Sequence, residues 1–295
     1  MEIIKRDQSV QAYDRRKISR AVSAAFDSVG HPLPDMKKEA ILDQVEVQIR
    51  TAAEMAPVSV EQIQDWVEQA LMRQDCYEEA RHYILYRQEH VRLRDQIDQL
   101  CRIIPDPEIL AACRQLQRDF PQPAMSLDAL IQKVQAFSKE KMKRSQQLDN
   151  LIRACIELIS PHTPQWEMAA ARFMMIKLRR SVSQRMQQQG IRTLAQKLLY
   201  LESQGLINAS LAEHYSYNDL NRLEQAIDNE RDQLFNASGL ELLIKRYLIR
   251  NHQGEVLELP QEMFMGIAMH LAIPEGKNRV EWAIKIYDVL SQLKV

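Results

Sequence analysis

From Ile18 onward, apolar residues recur at intervals of three and four, interrupted only by short turn clusters. That period belongs to helices that bury one face. Ile18, Ala21, Val22, Ala25, Phe26 and Val29 set the pattern before Gly30-His31-Pro32 ends the run. Only 7 glycines occur among the 295 residues, while Leu, Ala, Gln, Glu and Arg are abundant. Such a composition favours helix, and the fold class is expected to be mainly α.

The exception lies at the amino end. Residues 3–6 and 10–13 alternate about Asp7-Gln8, which predicts a short β-hairpin. A glycine would suit the second turn position better than Gln8, because it takes positive φ without steric cost. Asp14 then stands where a helix N-cap belongs, its carboxylate able to accept from the first-turn N–H groups. Lys5 and Arg6 on the strand and Lys17 on the first helical turn can converge with that helix start on a triphosphate. Adjacent strand residues point to opposite faces, so at most one of Lys5 and Arg6 reaches the phosphates directly. The same three cations also fit a solvated charged surface.

A second helix is expected over 36–53, closed by Pro57. Ser59-Val60-Glu61-Gln62 has the S-x-x-Q form of a capping box and leads into Ile63, Val67, Ala70 and Leu71. A fourth helix covers 77–99, so residues 1–98 form one compact unit, a hairpin with a four-helix bundle. Prolines 105, 107, 121 and 123 punctuate residues 99–145, which read as a linker with one short helix. Residues 146–295 read as an all-helical domain. Within it, runs are expected over 148–159, 168–186 and 193–203, from a cap at Asn218 or Asp219 through Leu234, over 239–250, after Pro260, and from 279 onward. The last run reaches Val295 without a stop signal, as in the front part of a longer chain.

The net charge of −1 gives no basic excess for DNA, and no leader or apolar run of about 18 residues is found. A cytoplasmic chain without membrane contact is expected. Four scattered cysteines (Cys76, Cys101, Cys113, Cys155) without a C-x-x-C read as reduced thiols. Glu79 and His82 have the E-x-x-H spacing of di-iron bundles, but no second copy accompanies them, so no metal site is expected. Glu230-Arg231-Asp232 reads as a local ion-pair patch, the methionines as core, and residues 139–144 as a solvated segment. No phosphate loop, dinucleotide fingerprint or complete catalytic constellation is present.

Ile4-Lys5-Arg6-Asp7, Tyr13-Asp14-Arg15-x-Lys17-Ile18, Ile63-Gln64-Asp65-x-Val67-Glu68 and Ala80-x-x-Tyr83-Ile84-x-Tyr86-Arg87 together resemble the ATP-cone domain. That family stands at the amino end of ribonucleotide reductase large subunits and in a zinc-ribbon repressor of reductase genes. Its usual glycine after Lys-Arg-Asp is Gln8 here, and its usual Phe is Tyr13. Further along, Glu230-Arg231-Asp232-x-x-Phe235, Gly239-Leu240-x-x-Leu243-x-x-Arg246-Tyr247-Leu248 and Leu259-Pro260-Gln261-Glu262-Met263-Phe264 look like the all-helical N-terminal domain of the reductase large subunit. Ile286-Tyr287-Asp288-Val289-Leu290-Ser291 resembles the helix that enters its catalytic barrel, and Ala170-Ala171-Arg172-Phe173 also fits.

The resemblance implies a regulatory front end that binds ATP as activator and dATP as inhibitor, with Mg2+, to control deoxyribonucleotide synthesis. It implies nucleotide contacts at Lys5, Arg6, Gln11, Tyr13, Asp14, Arg15, Lys17 and Ile18, base or ribose contacts at Val60 and Gln64, and a triphosphate contact at Arg87. The family's radical and redox cysteines lie in the barrel, which is absent here, and none of the four cysteines matches them. The resemblance therefore implies no catalysis by this chain alone. Implied partners are the remainder of the large subunit, a radical-generating small subunit where the radical comes from a metal subunit, and further copies of the chain. A freestanding nucleotide-responsive regulator and a helical scaffold with a degenerate cone are the competing readings, the former without the repressor's zinc ribbon.

Overall fold

A computed structural model describes residues 2–5, 9–121, 125–138, 142–208 and 210–294. The chain divides into two compact units, Met1–Asp95 and Gln96–Val295. In the first, β1 (Glu2–Ile4) and β2 (Val10–Ala12) pair antiparallel, with Ile3 opposite Gln11. The hydrogen bond from Lys5 N to Ser9 O, 2.8 Å, closes the pair. Arg6, Asp7 and Gln8 fall outside the described residues, and with them the expected turn geometry. A third strand, β3 (Val58–Ser59), runs parallel along the other edge of β1, pairing Val58 with Ile3. Two residues are too few to show alternation in sequence. The buried Val58 side chain and the unpaired edge of β1 create this strand.

Asp14 caps α1 (Arg15–Val29), accepting from Arg16 N, and Gly30 closes it at φ 74°, a left-handed conformation that a β-carbon disfavours. Ile18, Val22, Ala25 and Phe26 form its buried stripe. Ile41, Leu42, Val45 and Ile49 do the same for α2 (Asp35–Ala53). Ser59 and Gln62 build the expected capping box of α3 (Val60–Arg73), whose Ile63, Val67, Ala70 and Leu71 are buried. These stripes meet Ile3, Val58, Cys76, Ala80 and Tyr83 in one core, the last three at or within the start of α4 (Tyr77–Ile103).

The second unit is helical almost throughout. Residues 107–137 depart from the single short helix expected there. They form α5 (Pro107–Asp119) and α6 (Leu127–Phe137), capped by Asp106 and Ser126. Pro107 occupies the first turn of α5, where its missing N–H costs nothing, so this proline starts a helix instead of marking a linker. Ile109, Leu110, Cys113 and Leu116 on α5, and Leu127, Leu130, Ile131 and Val134 on α6, are buried. Next come α7 (Arg144–Glu157), α8 (Gln165–Gln188), α9 (Leu194–Ser203) and α10 (Ser210–Glu213).

The run expected to continue through Leu234 stops earlier. Ser216, not Asn218 or Asp219, caps α11 (Tyr217–Ala226), and Asp219 completes its capping box. Asp228 then starts a separate 3-10 turn, Asn229–Leu234. The helix expected over 239–250 is α12 (Ala237–Leu242), which loosens into a π turn, Leu243–Tyr247. There Leu248 N reaches back five residues to Leu243 O, and the Arg250 guanidinium takes the carbonyls of Ile244 and Gly254. Pro260 opens α13 (Pro260–Ala272), and a 3-10 turn, Ile273–Asn278, leads to α14 (Arg279–Ser291). One core joins α9, α11, α13 and α14. A second joins α8, α9 and α12 with Leu248, Val256 and Leu257. Among the described residues no helix is long and apolar enough to cross a membrane.

Candidate functional site

The end of β2 and the first turn of α1 form one wall of a cavity of about 500 Å³ in the first unit. That volume suits a small organic ligand. Gln11, Tyr13, Asp14, Lys17 and Ile18 lie on this wall, and Ile3 and Lys5 extend it from β1. Val60, Ile63, Gln64 and Val67 face the cavity from α3, and Tyr83 and Arg94 from α4. Residues distant in sequence thus meet because the α3 stripe and the α1 start both pack on the same small sheet.

Three cations, Lys5, Lys17 and Arg94, line the cavity. Asp14 is the carboxylate on the lining, and it is already engaged. Its Oδ1 accepts from Arg16 N at 3.0 Å and from Arg16 Nε at 3.2 Å. The Arg16 hydrogen bonds hold its carboxyl below the usual carboxylate range. The open N–H groups at the start of α1 add a partial positive charge beside the cations. Burial pushes the Tyr83 hydroxyl up to about 12, and nearby Glu68 adds to the shift, so it stays a protonated donor. The cavity therefore combines an anion-attracting part with apolar surface from Val60, Ile63 and Val67.

Of the residues singled out from sequence, Lys5, Gln11, Tyr13, Asp14, Lys17, Ile18, Val60 and Gln64 are brought together on this lining. Arg6 lies outside the described residues. Arg15 turns away to α2, where Glu39, Asp43 and Glu46 hold it at 2.6, 2.8 and 2.7 Å. Arg87 also stands off the lining and ties α4 to α3, pairing with Asp65 at 2.5 Å and Glu68 at 2.8 Å. Sequence reasoning missed Tyr83 and Arg94. Arg94 lies seven residues beyond Arg87 on the same helix, but Arg87 itself stands off the lining, so no spacing singled Arg94 out.

The remaining candidates have structural roles. Glu79 pairs with His31 Nδ1 at 2.9 Å across to the end of α1. Among the described residues no group of His, Cys, Asp and Glu could hold a metal ion. Cys76, Cys113 and Cys155 are buried free thiols, and burial pushes Cys113 up to about 12, far from a reactive thiolate. Arg231 pairs with Asp228 and Asp288 and lies over the Tyr287 ring, while Asp232 accepts from Arg179 and Gln261. Met175, Met186, Met263, Met265 and Met269 are core.

Residues 1–92 match the family described as the ATP cone domain, and residues 233–295 match the ribonucleotide reductase all-alpha domain. The ribonucleoside-diphosphate reductase subunit alpha of Treponema pallidum (strain Nichols) is 38% identical over 299 residues, covering 100% of this chain and 35% of that relative. The subunit of the same name from Chlamydia muridarum is 28% identical over 333 residues, covering 100% of this chain and 31% of its own length. That of Helicobacter pylori (strain 26695) is 32% identical over 174 residues, or 59% of this chain. The chain spans about a third of the length of the first two of these relatives.

Proposed function

We propose, on the premise that the chain carries an ATP cone domain and the all-alpha domain of the ribonucleotide reductase alpha subunit, that its first unit is the allosteric nucleotide sensor of such an enzyme. The cavity beside α1 takes an adenine nucleoside triphosphate. ATP bound there supports nucleotide reduction, and dATP suppresses it. The barrel-bearing remainder of the alpha subunit, a radical-generating subunit and further copies of the chain are the partners proposed for it.

One observation carries this reading. Lys5, Lys17 and Arg94 share a single cavity with the Asp14-capped start of α1 and an apolar wall from α3. A nucleotide has the same two characters, a polyanionic tail and a flat, largely apolar base. Each charge-assisted hydrogen bond to a phosphate is worth about 1.5–3 kcal/mol. The helix start adds roughly 0.3–1 kcal/mol. Asp14 alone offers too few ligands for a divalent cation and is committed to Arg16. A Mg2+ ion would thus arrive on the triphosphate, neutralising part of its charge. ATP and dATP differ by one hydroxyl, and Gln64, facing the cavity from α3, is the side chain proposed to border the ribose.

Isothermal titration of the full chain tests the proposal. Mg–ATP and dATP should both bind, and Lys17→Ala should weaken both by about tenfold or more, about 1.4 kcal/mol. Absence of heat with either nucleotide on folded protein rejects the assignment.

A further inference from the structure

Tyr13 presents itself to two places at once. It lines the cavity, and its hydroxyl donates to Glu46 Oε1 on α2 at 3.1 Å. Burial, reinforced by the Glu46 carboxylate, raises the Tyr13 hydroxyl well above its ordinary value, which keeps it a donor. Glu46 is half-buried, and its second oxygen holds Arg15 at 2.7 Å and meets Arg50 at 3.5 Å. Arg15 is in turn shared with Glu39 and Asp43, so three carboxylates on one face of α2 grip the residue next to Asp14 and two before Lys17. Asp14 and Lys17 belong to the cavity. The junction of β2 and α1 therefore has a front face toward the cavity and a back face bonded to α2.

We infer that Tyr13, through its hydroxyl on Glu46, is the positioning residue that carries occupancy of the cavity into α2. The inference rests on the cavity being a nucleotide site and adds how that site is read by the rest of the unit. A ligand that draws on Lys17 and the start of α1 displaces the first turn. That turn cannot move without either dragging Glu46 or breaking its bonds. The Arg15 ion pairs are spread over three partly exposed carboxylates and tolerate sliding, because surface pairs contribute little each. The Tyr13 hydroxyl has one acceptor and a fixed ring, so it is the directional link.

Hydrogen exchange of the full chain, with and without saturating Mg–ATP, reads the link along α2. In the wild type, ATP should slow exchange over 39–50 by about fivefold or more, the lower end of an allosteric coupling. Glu46→Leu removes the acceptor and should abolish that protection while titration still shows ATP binding. Glu46→Gln removes the charge facing Arg15 but keeps an acceptor for the hydroxyl, and should restore the protection. Tyr13→Phe should lose it like Glu46→Leu. Protection that survives in Glu46→Leu and Tyr13→Phe overturns the inference. So does a Glu46→Gln chain that behaves like Glu46→Leu, which would assign the link to the ion pair. A wild-type chain that binds ATP without protecting α2 overturns it as well. A wild-type chain that gives no heat with ATP removes the nucleotide reading itself, and this inference with it.

Discussion

Glu258 sits in the second unit with little solvent, accepting one hydrogen bond from Ile249 N at 2.8 Å. Burial pushes its carboxyl up to about 7; the Ile249 bond opposes that, Glu262 adds repulsion and Lys197 partly offsets it. Lys197 is already committed to Glu262, at 2.5 and 2.6 Å. The folded chain thus holds the Glu258 proton more tightly than the unfolded chain, whose carboxyl titrates near 4.5. Stability from this group is complete below about 4.5 and declines as pH rises to about 7, by about 3 kcal/mol in all. Glu258→Gln should remove that slope. Urea unfolding should find the variant more stable than wild type at about pH 8 and nearly equal to it at about pH 4.5. A Glu258→Gln chain whose stability relative to wild type does not change across this window contradicts the assignment. The burial of this residue was invisible in sequence, because Glu258 falls between the run expected over 239–250 and the helix after Pro260, where no helical period marks a buried face. Arg15 has the opposite history. Glu39, Asp43 and Glu46 recur at helical spacing, but Arg15 was read as a nucleotide contact, and only the packing of α2 on α1 turns it toward them. Which turn of the long α4 meets the cavity is likewise set by packing on α3, so Arg94 could not be told from its exposed neighbours.

Elements with chemical end signals were the legible ones. Asp14 and Ser59 with Gln62 cap the helices expected after them, and Thr193 with Gln196 caps the run expected over 193–203. Ser59 has a double task, since it ends β3 beside Ile4 and caps α3, whose first turns carry Val60, Ile63 and Gln64 to the cavity. Its Oγ accepts from Gln62 N at 3.2 Å, and Gln62 Oε1 accepts from Ser59 N at 2.9 Å. Ser59→Ala removes the acceptor of Gln62 N, while the backbone bond from Ser59 N to Gln62 Oε1 stays. It should cost about 1 kcal/mol, read as a lower urea midpoint with an unchanged slope. Ser59→Asp keeps an acceptor and should cost less. An alanine variant as stable as wild type would mean the cap does not fix this helix. The elements that escaped the sequence lack such signals or carry them among prolines that mask them, as Asp106 and Ser126 do. β3 is too short to alternate, the π turn after α12 depends on Arg250 arriving from the next segment, and the prolines around α5 and α6 look the same whether they start helices or interrupt a linker.

At the scale of the molecule, the first unit is a domain of under a hundred residues with its own core. Domains of that size bury a modest fraction of their surface and are marginal, so a bound ligand is a large term in their stability. A nucleotide that binds only the folded form adds RT ln(1 + [L]/Kd), about 2.7 kcal/mol at a hundredfold excess over Kd. For a unit of this length each kcal/mol moves the unfolding midpoint by about 4–8 °C, so saturating Mg–ATP should raise the midpoint of the first unit by roughly 10–20 °C. Segment-resolved hydrogen exchange during heating separates this unit from the second, whose cores around α8 and α13 contain no cavity residue. The rise should appear in α1 and α3, and Lys17→Ala should lose it at the same nucleotide concentration. A midpoint of α1 and α3 that stays fixed under saturating ATP would mean that the folded cone does not hold the nucleotide.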